Sequence, residues 1–81
     1  MTTEAVLNQV NDIFKDVLDN EDIKVSYETT ADSIEEWDSL SHIQLIVAIE
    51  KYFKIRFTTP EINGFHNVGE MCEGIVLKKA S

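Results

Sequence analysis

Three stretches of the chain carry apolar residues at the spacing of a helix. In the first, the repeat comes every three or four positions, at Leu7, Val10, Phe14 and Val17. Such a repeat gives one apolar face and predicts an amphipathic helix over residues 3–18. We expect Thr3 to cap this helix, with Glu4 in the first turn, where the helix dipole favours an acid. The dipeptide Asp19-Asn20 marks the turn that ends it.

The second stretch, residues 39–53, is more apolar than one packed face requires. We expect an inward face made of Leu45, Ile46, Ile49 and Phe53. A separate stripe of Leu40, Ile43 and Val47 lies along another side of the same helix and should be partly exposed. Asp38 is placed to cap this helix.

Two segments predict the remaining helices. Thr59-Pro60-Glu61 places a cap, a proline and an acid at the start of a short helix that ends by Gly64. Asn67 and Glu70 resemble a capping box, which opens a last helix running to about Leu77. The apolar side of this last helix comprises Val68, Met71, Cys72, Ile75 and Val76, and Lys78-Lys79 complement its C-terminal dipole.

Residues 20–37, between the first two long helices, are mostly polar and predict a long ordered loop. The apolar residues expected to anchor it are Ile23, Val25, Tyr27, Ile34 and Trp37, the last covering the core. The run from Ser33 to Glu36 matches a capping box, so a short helical turn is expected there. A loop of this length lets the two helices it joins point the same way. The prediction is an all-α fold: a four-helix bundle of three main helices and one short helix.

Length and composition restrict the class of protein. With 81 residues, the chain is expected to form a single domain, residues 1–81, around one core. No stretch is long and apolar enough to span a bilayer, and the start lacks the basic and apolar segments of a signal peptide. A single cysteine, Cys72, cannot form an internal disulfide. We therefore expect a cytoplasmic protein without membrane insertion.

The formal net charge of -8 argues against nucleic acid as a partner, because little is available to neutralise phosphates. Residues 1–38 hold eleven Asp or Glu against two lysines, whereas the remainder is nearly neutral. A solvated surface kept for solubility explains this distribution as readily as a docking surface for a basic partner. The acids at Asp19, Glu21 and Asp22 lack the glycine and ligand spacing of a calcium loop. One cysteine with two separated histidines provides no zinc set, so no metal site is expected.

The pair Asp38-Ser39 is the strongest candidate for chemistry. If Asp38 caps the second long helix, Ser39 lies in its first turn with an exposed hydroxyl beside free backbone N–H groups. A helix N-terminus favours an anion, so a phosphodiester on Ser39 would be stabilised there. Judged from these residues alone, a simple capping pair is the more economical interpretation. His42, three residues on, lacks the oxyanion donors and orienting acid of a catalytic base, so we expect it on the surface and expect no catalytic residue.

Asp38-Ser39-Leu40 resembles the Asp-Ser-Leu motif of acyl carrier proteins, and the resemblance extends over nearly the whole chain. The first helix, the long loop, the short helix near Pro60 and the start of the last helix at Val68-Gly69-Glu70 fall at the spacings of that family. The resemblance implies an acyl-carrier-like bundle in which Ser39 bears a covalent 4′-phosphopantetheine, delivered from coenzyme A by a phosphopantetheinyl transferase. The thiol of this arm would carry acyl or aminoacyl groups between an activating ligase and an acyltransferase or synthase. The chain would then be a monomeric carrier and not an enzyme, with Asp38 contributing to recognition.

The resemblance also implies a docking surface on the helix that follows Ser39. The corresponding residues are Leu40, Ser41, Ile43, Gln44, Val47, Glu50 and Lys51. Carriers of fatty acid synthesis line this helix with carboxylates, whereas this chain has Ser41, Gln44 and Lys51 there. Docking is therefore expected to be more apolar, which favours a specialised pathway such as lipid, secondary-metabolite or envelope polysaccharide synthesis. The alternative is an unmodified acidic helical module that binds partner proteins.

Overall fold

Four α-helices and one 3-10 turn make up the computed structural model of the protein, which describes residues 2–80. The helices are α1 (Thr3–Val17), α2 (Ser39–Phe53), α3 (Thr59–Gly64) and α4 (Val68–Ala80). The 3-10 turn, Ala31–Ser33, lies in the long loop between α1 and α2. No strand occurs among these residues. The predicted all-α bundle of three main helices and one short helix is confirmed.

The core forms where α1 packs against α2 and α4. Each of the three helices contributes one apolar face, as the periodicity predicts. The buried side chains are Val6, Val10, Ile13 and Phe14 in α1, Leu45, Ile46, Ile49 and Phe53 in α2, and Val68, Met71, Cys72 and Ile75 in α4. Burial of one such side chain contributes roughly 1.5–3 kcal/mol, so these faces supply most of the hydrophobic stabilisation. None of the described helices is long and apolar enough to cross a bilayer.

The predicted caps of α1 and α3 are each wrong by one residue, because the first threonine of a pair is the cap. The Thr2 hydroxyl accepts a hydrogen bond from a first-turn backbone N–H at 3.1 Å, and Thr3 is already helical. Thr58 caps α3 in a reciprocal box: its N–H donates to the Glu61 carboxylate at 2.8 Å, and Glu61 N–H donates to its hydroxyl at 3.4 Å. The acid three residues on therefore selects Thr58 over Thr59.

The last helix starts where the sequence predicts and ends later. The Asn67 side chain accepts a hydrogen bond from a first-turn N–H at 2.8 Å, which caps α4. The helix continues past the predicted end near Leu77 to Ala80. Lys78 and Lys79 lie in this extra turn, where their charge stabilises the C-terminal end of the helix dipole.

The helical turn within the long loop is displaced from its predicted position. It ends at Ser33 instead of beginning there, and the next residue, Ile34, is extended. The Glu36 carboxylate, the expected partner of Ser33 in a capping box, accepts a hydrogen bond from the Asn20 side chain at 2.6 Å. A contact distant in sequence therefore replaces the local cap.

Hydrogen bonds from α1 and α4 fix the long loop to the bundle. The Asn11 side chain in α1 accepts from the backbone N–H of Val25 at 2.7 Å. At the start of α4, Gly69 N–H donates to the Tyr27 carbonyl at 2.9 Å. The expected anchors Ile23, Val25 and Trp37 are buried. Tyr27 is not an apolar anchor, because its side chain is 40% exposed and only its backbone holds the loop.

Candidate functional site

Ser39 is the first residue of α2, and its side chain is exposed. The capping box before it explains this position. The Asp38 carboxylate accepts a hydrogen bond from Ser41 N–H at 2.9 Å, and the Ser41 hydroxyl accepts one from Asp38 N–H at 2.7 Å. With these bonds the chain enters the helix at Ser39, whose hydroxyl makes no hydrogen bond to any residue from 2 to 80. That hydroxyl is therefore free to react.

Ser41 does not lie on the surface of α2, contrary to expectation. Its side chain is 7% exposed, and its hydroxyl donates to the Glu36 carbonyl at 2.8 Å while accepting from Asp38. Its donor hydrogen and one of its two acceptor positions are thus used within the chain. In this structure Ser41 is a structural residue of the cap and is not presented to a partner.

Asp38 places a negative charge next to Ser39. The backbone N–H and the hydroxyl of Ser41 hold the pKa of the Asp38 carboxyl below its usual value. The carboxylate is consequently ionised at neutral pH, and the helix dipole further favours its charge at this end. A reagent that approaches Ser39 meets an exposed hydroxyl beside a fixed carboxylate.

A second tripeptide of the same type shows why position in the fold matters. Asp32-Ser33-Ile34 also has the pattern acid, serine, aliphatic residue. Ser33 ends a 3-10 turn, however, and its backbone N–H already donates to the Thr30 carbonyl at 3.0 Å. No α-helix starts there, so of these two serines only Ser39 combines an exposed hydroxyl with the N-terminus of an α-helix.

Trp37 and His42 connect the start of α2 with α3. Trp37 is 5% exposed and packs edge-on against Phe14, with ring centroids 5.0 Å apart, so the expected role as an anchor over the core is confirmed. Its indole N–H donates to His42 Nδ1 at 3.2 Å. Because an indole nitrogen only donates, Nδ1 must accept, and the ring proton is assigned to Nε2. Nε2 then donates to the Ile62 carbonyl in α3 at 3.1 Å.

His42 is therefore not a free surface residue, which corrects the sequence-based expectation. Both of its ring nitrogens are engaged, and its ring stacks on Trp37 with centroids 6.0 Å apart. The residue links three segments: the end of the long loop, the second turn of α2, and α3. It positions α3 beside Ser39.

An open groove of about 560 Å³ lies beside Ser39, between the start of α2 and α3. Side chains on both sides of it are Trp37, His42, Ile43, Ile62, Asn63 and Phe65. The lining mixes apolar surface with polar groups and is open to solvent. A flexible chain attached to Ser39 would have room to lie along it. The sequence did not indicate the α3 residues of the groove, because a helix of six residues carries no readable periodicity.

The exposed side of α2 is apolar near Ser39. Leu40, Ile43 and Val47 are 70%, 50% and 43% exposed, which confirms the predicted stripe. Gln44 and Lys51 are exposed as well. Glu50 differs, because it is half-buried and its carboxylate accepts a hydrogen bond from Phe57 N–H at 2.8 Å. One of its carboxylate oxygens is therefore engaged within the chain.

The other candidate groups contribute no metal site or reactive thiol. Within residues 2–80 no three His, Cys, Asp or Glu side chains are grouped as metal ligands. Cys72 is fully buried in α4, and this burial raises the pKa of its thiol to about 11. The thiol is consequently neutral at physiological pH and acts as a small apolar side chain.

Comparison with known proteins agrees with this geometry. The phosphopantetheine attachment site family matches residues 8–75 of the chain. The chain is also similar to the solution NMR structure of the holo acyl carrier protein from Geobacter metallireducens, with a TM-score of 0.87 and 39% sequence identity. That match covers 93% of this chain and 86% of the other. No curated protein sequence matches the chain.

Proposed function

We propose that Ser39 bears the covalent 4′-phosphopantetheine of this chain, which belongs to the phosphopantetheine attachment family and is an acyl carrier protein. The observation that carries the proposal is the unbonded, exposed hydroxyl of Ser39 in the first turn of α2, beside a groove. When bound, the arm supplies a thiol that carries acyl groups as thioesters. The chain itself is a carrier and not an enzyme.

The residues around Ser39 fit a phosphodiester linkage. On transfer from coenzyme A, the Ser39 hydroxyl oxygen would bond to the phosphorus attached to pantetheine. The bond from that phosphorus to the second phosphate would break, adenosine 3′,5′-bisphosphate would leave, and the serine proton would pass to a base of the transferase. The positive end of the α2 dipole favours the remaining phosphodiester charge. Because Asp38 is held by hydrogen bonds within the cap, it stays beside Ser39 as a fixed recognition element.

The surface of α2 supports a role in a specialised pathway over one in general fatty acid synthesis. Carriers of fatty acid synthesis present carboxylates on this helix. Here Gln44 and Lys51 are exposed, and the Glu50 carboxylate accepts a hydrogen bond from Phe57 N–H. An apolar stripe of Leu40, Ile43 and Val47 remains for docking. We propose an acyl or aminoacyl cargo that is loaded by an activating ligase and removed by an acyltransferase or synthase.

One core shared by α1, α2 and α4 also supports a single domain.

Intact-mass spectrometry tests the attachment. The protein is incubated with coenzyme A, magnesium and a broad-specificity phosphopantetheinyl transferase. The wild type should gain one phosphopantetheinyl group and Ser39→Ala none. Ser33→Ala is the matched control, because it removes the serine of the other Asp-Ser-aliphatic tripeptide, and it should be modified like the wild type.

Two outcomes would overturn the proposal. A wild-type protein without any mass gain would favour an unmodified acidic helical module that binds partners. A mass gain in Ser39→Ala would show that another residue accepts the arm. Far-UV circular dichroism of both variants establishes that each is folded before loading is compared.

A further inference from the structure

The C-terminal end of α2 carries a cluster of basic residues, of which only Lys51 belongs to the docking surface expected from the sequence. Lys51, Lys54 and Arg56 line one open groove of about 490 Å³, together with Val47 and Ile55. We call this the basic groove. It contains three of the seven basic residues in a protein whose net charge is -8. The clustering is therefore the opposite of what the overall composition would suggest.

The turn after α2 creates this cluster. Lys54 ends the helix in the left-handed conformation, with φ 58° and ψ 49°, and its backbone N–H donates to the Glu50 carbonyl. The chain reverses here, so that Arg56 lines the same groove as Lys51. A left-handed residue other than glycine is uncommon. The grouping of charges thus depends on a feature that sequence spacing does not reveal.

None of the three basic side chains forms an ion pair with any residue from 2 to 80. The one acid in the groove, Glu50, is bonded to Phe57 N–H. The other basic residues near this end are used internally. Lys78 pairs with Glu61 at 3.0 Å, and Lys79 donates to the Phe53 carbonyl at 3.1 Å. Among residues 2–80, the basic groove therefore contains the lysine and arginine side chains beside α2 that have neither an ion pair nor a hydrogen bond to the chain.

The basic groove continues the apolar stripe that begins next to Ser39. Val47 belongs to both, and Leu40 and Ile43 extend the stripe toward the start of the helix. At a rise of about 1.5 Å per residue, Lys51 lies about 18 Å along α2 from Ser39. One partner surface could therefore cover the apolar stripe, reach Ser39 at one end and contact the positive charges at the other.

The distribution of charge indicates what this partner surface contains. Residues 2–38 hold eleven acids and two lysines, so an acidic protein is repelled by that part of the molecule and attracted by the basic groove. A second copy of the chain is disfavoured as the occupant, because each copy has a net charge of -8. An enzyme surface with an apolar depression and nearby carboxylates fits both features of α2.

We infer that the basic groove orients the carrier on partner enzymes by pairing with Asp or Glu side chains about 18 Å from the site where Ser39 enters. This inference rests on the proposed function, since it assigns the groove to enzymes that must reach Ser39 or its arm. The first such enzyme is the phosphopantetheinyl transferase. Exposed charges of this kind chiefly increase the rate of encounter and fix orientation.

Charge reversal with a matched control tests the inference. Lys51→Glu/Arg56→Glu alters one residue in the last turn of α2 and one exposed residue beyond it. The control, Lys15→Glu/Lys24→Glu, alters one residue in the last turn of α1 and one exposed loop residue. Both pairs change the net charge by the same amount. The probe is the phosphopantetheinyl transferase of the same organism, with coenzyme A and magnesium, assayed at low salt.

The expected result is a rise of about tenfold in the KM for Lys51→Glu/Arg56→Glu, with unchanged kcat, and at most about a twofold change for the control. The neutral pair Lys51→Gln/Arg56→Gln should give an intermediate KM. Added sodium chloride should raise the KM of the wild type more than that of the reversed pair, because salt screens the attraction that only the wild type retains. An unchanged kcat also shows that the variants are folded substrates.

Each other outcome counts against the inference. Equal KM values for the two pairs would mean that only net charge matters, and a lower KM for Lys51→Glu/Arg56→Glu would assign a basic surface to the partner. If analytical ultracentrifugation showed a wild-type dimer that is monomeric in Lys51→Glu/Arg56→Glu, the basic groove would be occupied by a second copy of the chain instead. Absence of loading in the wild type would overturn the proposed function and this inference together, whereas loading that is insensitive to both pairs would overturn the inference alone.

Discussion

His42 links the helix that carries Ser39 to α3, and this link can be broken by a single substitution. In His42→Phe the aromatic ring that stacks on Trp37 remains, but both hydrogen bonds are lost. The Trp37 indole N–H then stays buried without a partner, since Trp37 is 5% exposed. The Ile62 carbonyl loses its partner from α2 as well.

The magnitude follows from these two bonds. Each neutral hydrogen bond contributes about 0.5–1.5 kcal/mol, and an unsatisfied buried donor costs about 1–3 kcal/mol. We expect His42→Phe to lower the free energy of unfolding by about 2–4 kcal/mol. A chain of this length has roughly 4–12 kcal/mol in total, so the loss is readily measured. His66→Phe is the matched control, because the His66 side chain is 81% exposed and its replacement should change stability by less than about 0.5 kcal/mol.

Urea unfolding followed by far-UV circular dichroism supplies the measurement, and a double-mutant cycle identifies its cause. Trp37→Phe removes the indole donor, so His42→Phe should cost about 1–2 kcal/mol less in that background than in the wild type. Strictly additive losses would refute the direct bond between the two rings. So would a loss below about 0.5 kcal/mol in His42→Phe itself.

Three further results are expected. Gly69→Ala should destabilise the protein by about 1–3 kcal/mol in urea unfolding, because the added Cβ would lie 2.9 Å from the Tyr27 carbonyl oxygen that Gly69 N–H itself contacts; unchanged stability would show that the loop moves freely at this point. Since the pKa of Asp38 is lower in the folded than in the unfolded protein, its stabilisation is complete above the unfolded value of 3.8 and is lost as pH falls below it. The unfolding free energy of the wild type should therefore fall more steeply with acid than that of Asp38→Asn, and parallel curves would contradict this. The Cys72 thiol, with its pKa raised to about 11, should resist alkylation by iodoacetamide at neutral pH and react once urea unfolds the chain; equally fast alkylation of the folded protein would show that α4 opens readily.

Local signals in the sequence were sufficient for the long helices. The helix at residues 39–53 was predicted with its cap at Asp38 and its inward face, because periodicity and capping act within a few residues. At the Thr-Thr pairs that start α1 and α3 the predicted cap was wrong by one position, since either hydroxyl is a good cap. In α3 the reciprocal bond with Glu61 decides for Thr58. Helix ends near weak stop signals, such as Leu77, were equally uncertain.

Contacts between distant residues were not predictable from the sequence. The bond from Val25 to Asn11 joins a loop to a helix face, and the bond from His42 to Ile62 joins two helices. Neither pair shares a repeat or motif that would mark it. The same limit applies to Ser41. The resemblance to acyl carrier proteins predicts it on the docking surface, but the sequence does not show its bond to the Glu36 carbonyl.

The same distinction between local signals and contacts of distant residues applies to the candidate site. Ser39 was identified from three adjacent residues and from the spacing of the whole chain, both of which are visible in the sequence. The groove beside it required α3, and the basic groove required the left-handed turn at Lys54. The resemblance to acyl carrier proteins thus predicted Ser39 as the modified residue, whereas the shape of the two grooves emerged only from packing.

Residue-level localisation of the arm tests the assignment of phosphopantetheine to Ser39. The chain contains five serines, Ser26, Ser33, Ser39, Ser41 and Ser81. Protein loaded with coenzyme A by the transferase is digested, and tandem mass spectrometry of the modified peptide assigns the group to one residue. We predict phosphopantetheine on Ser39 alone. Assignment to Ser33, to Ser41 or to any residue other than Ser39 would contradict it.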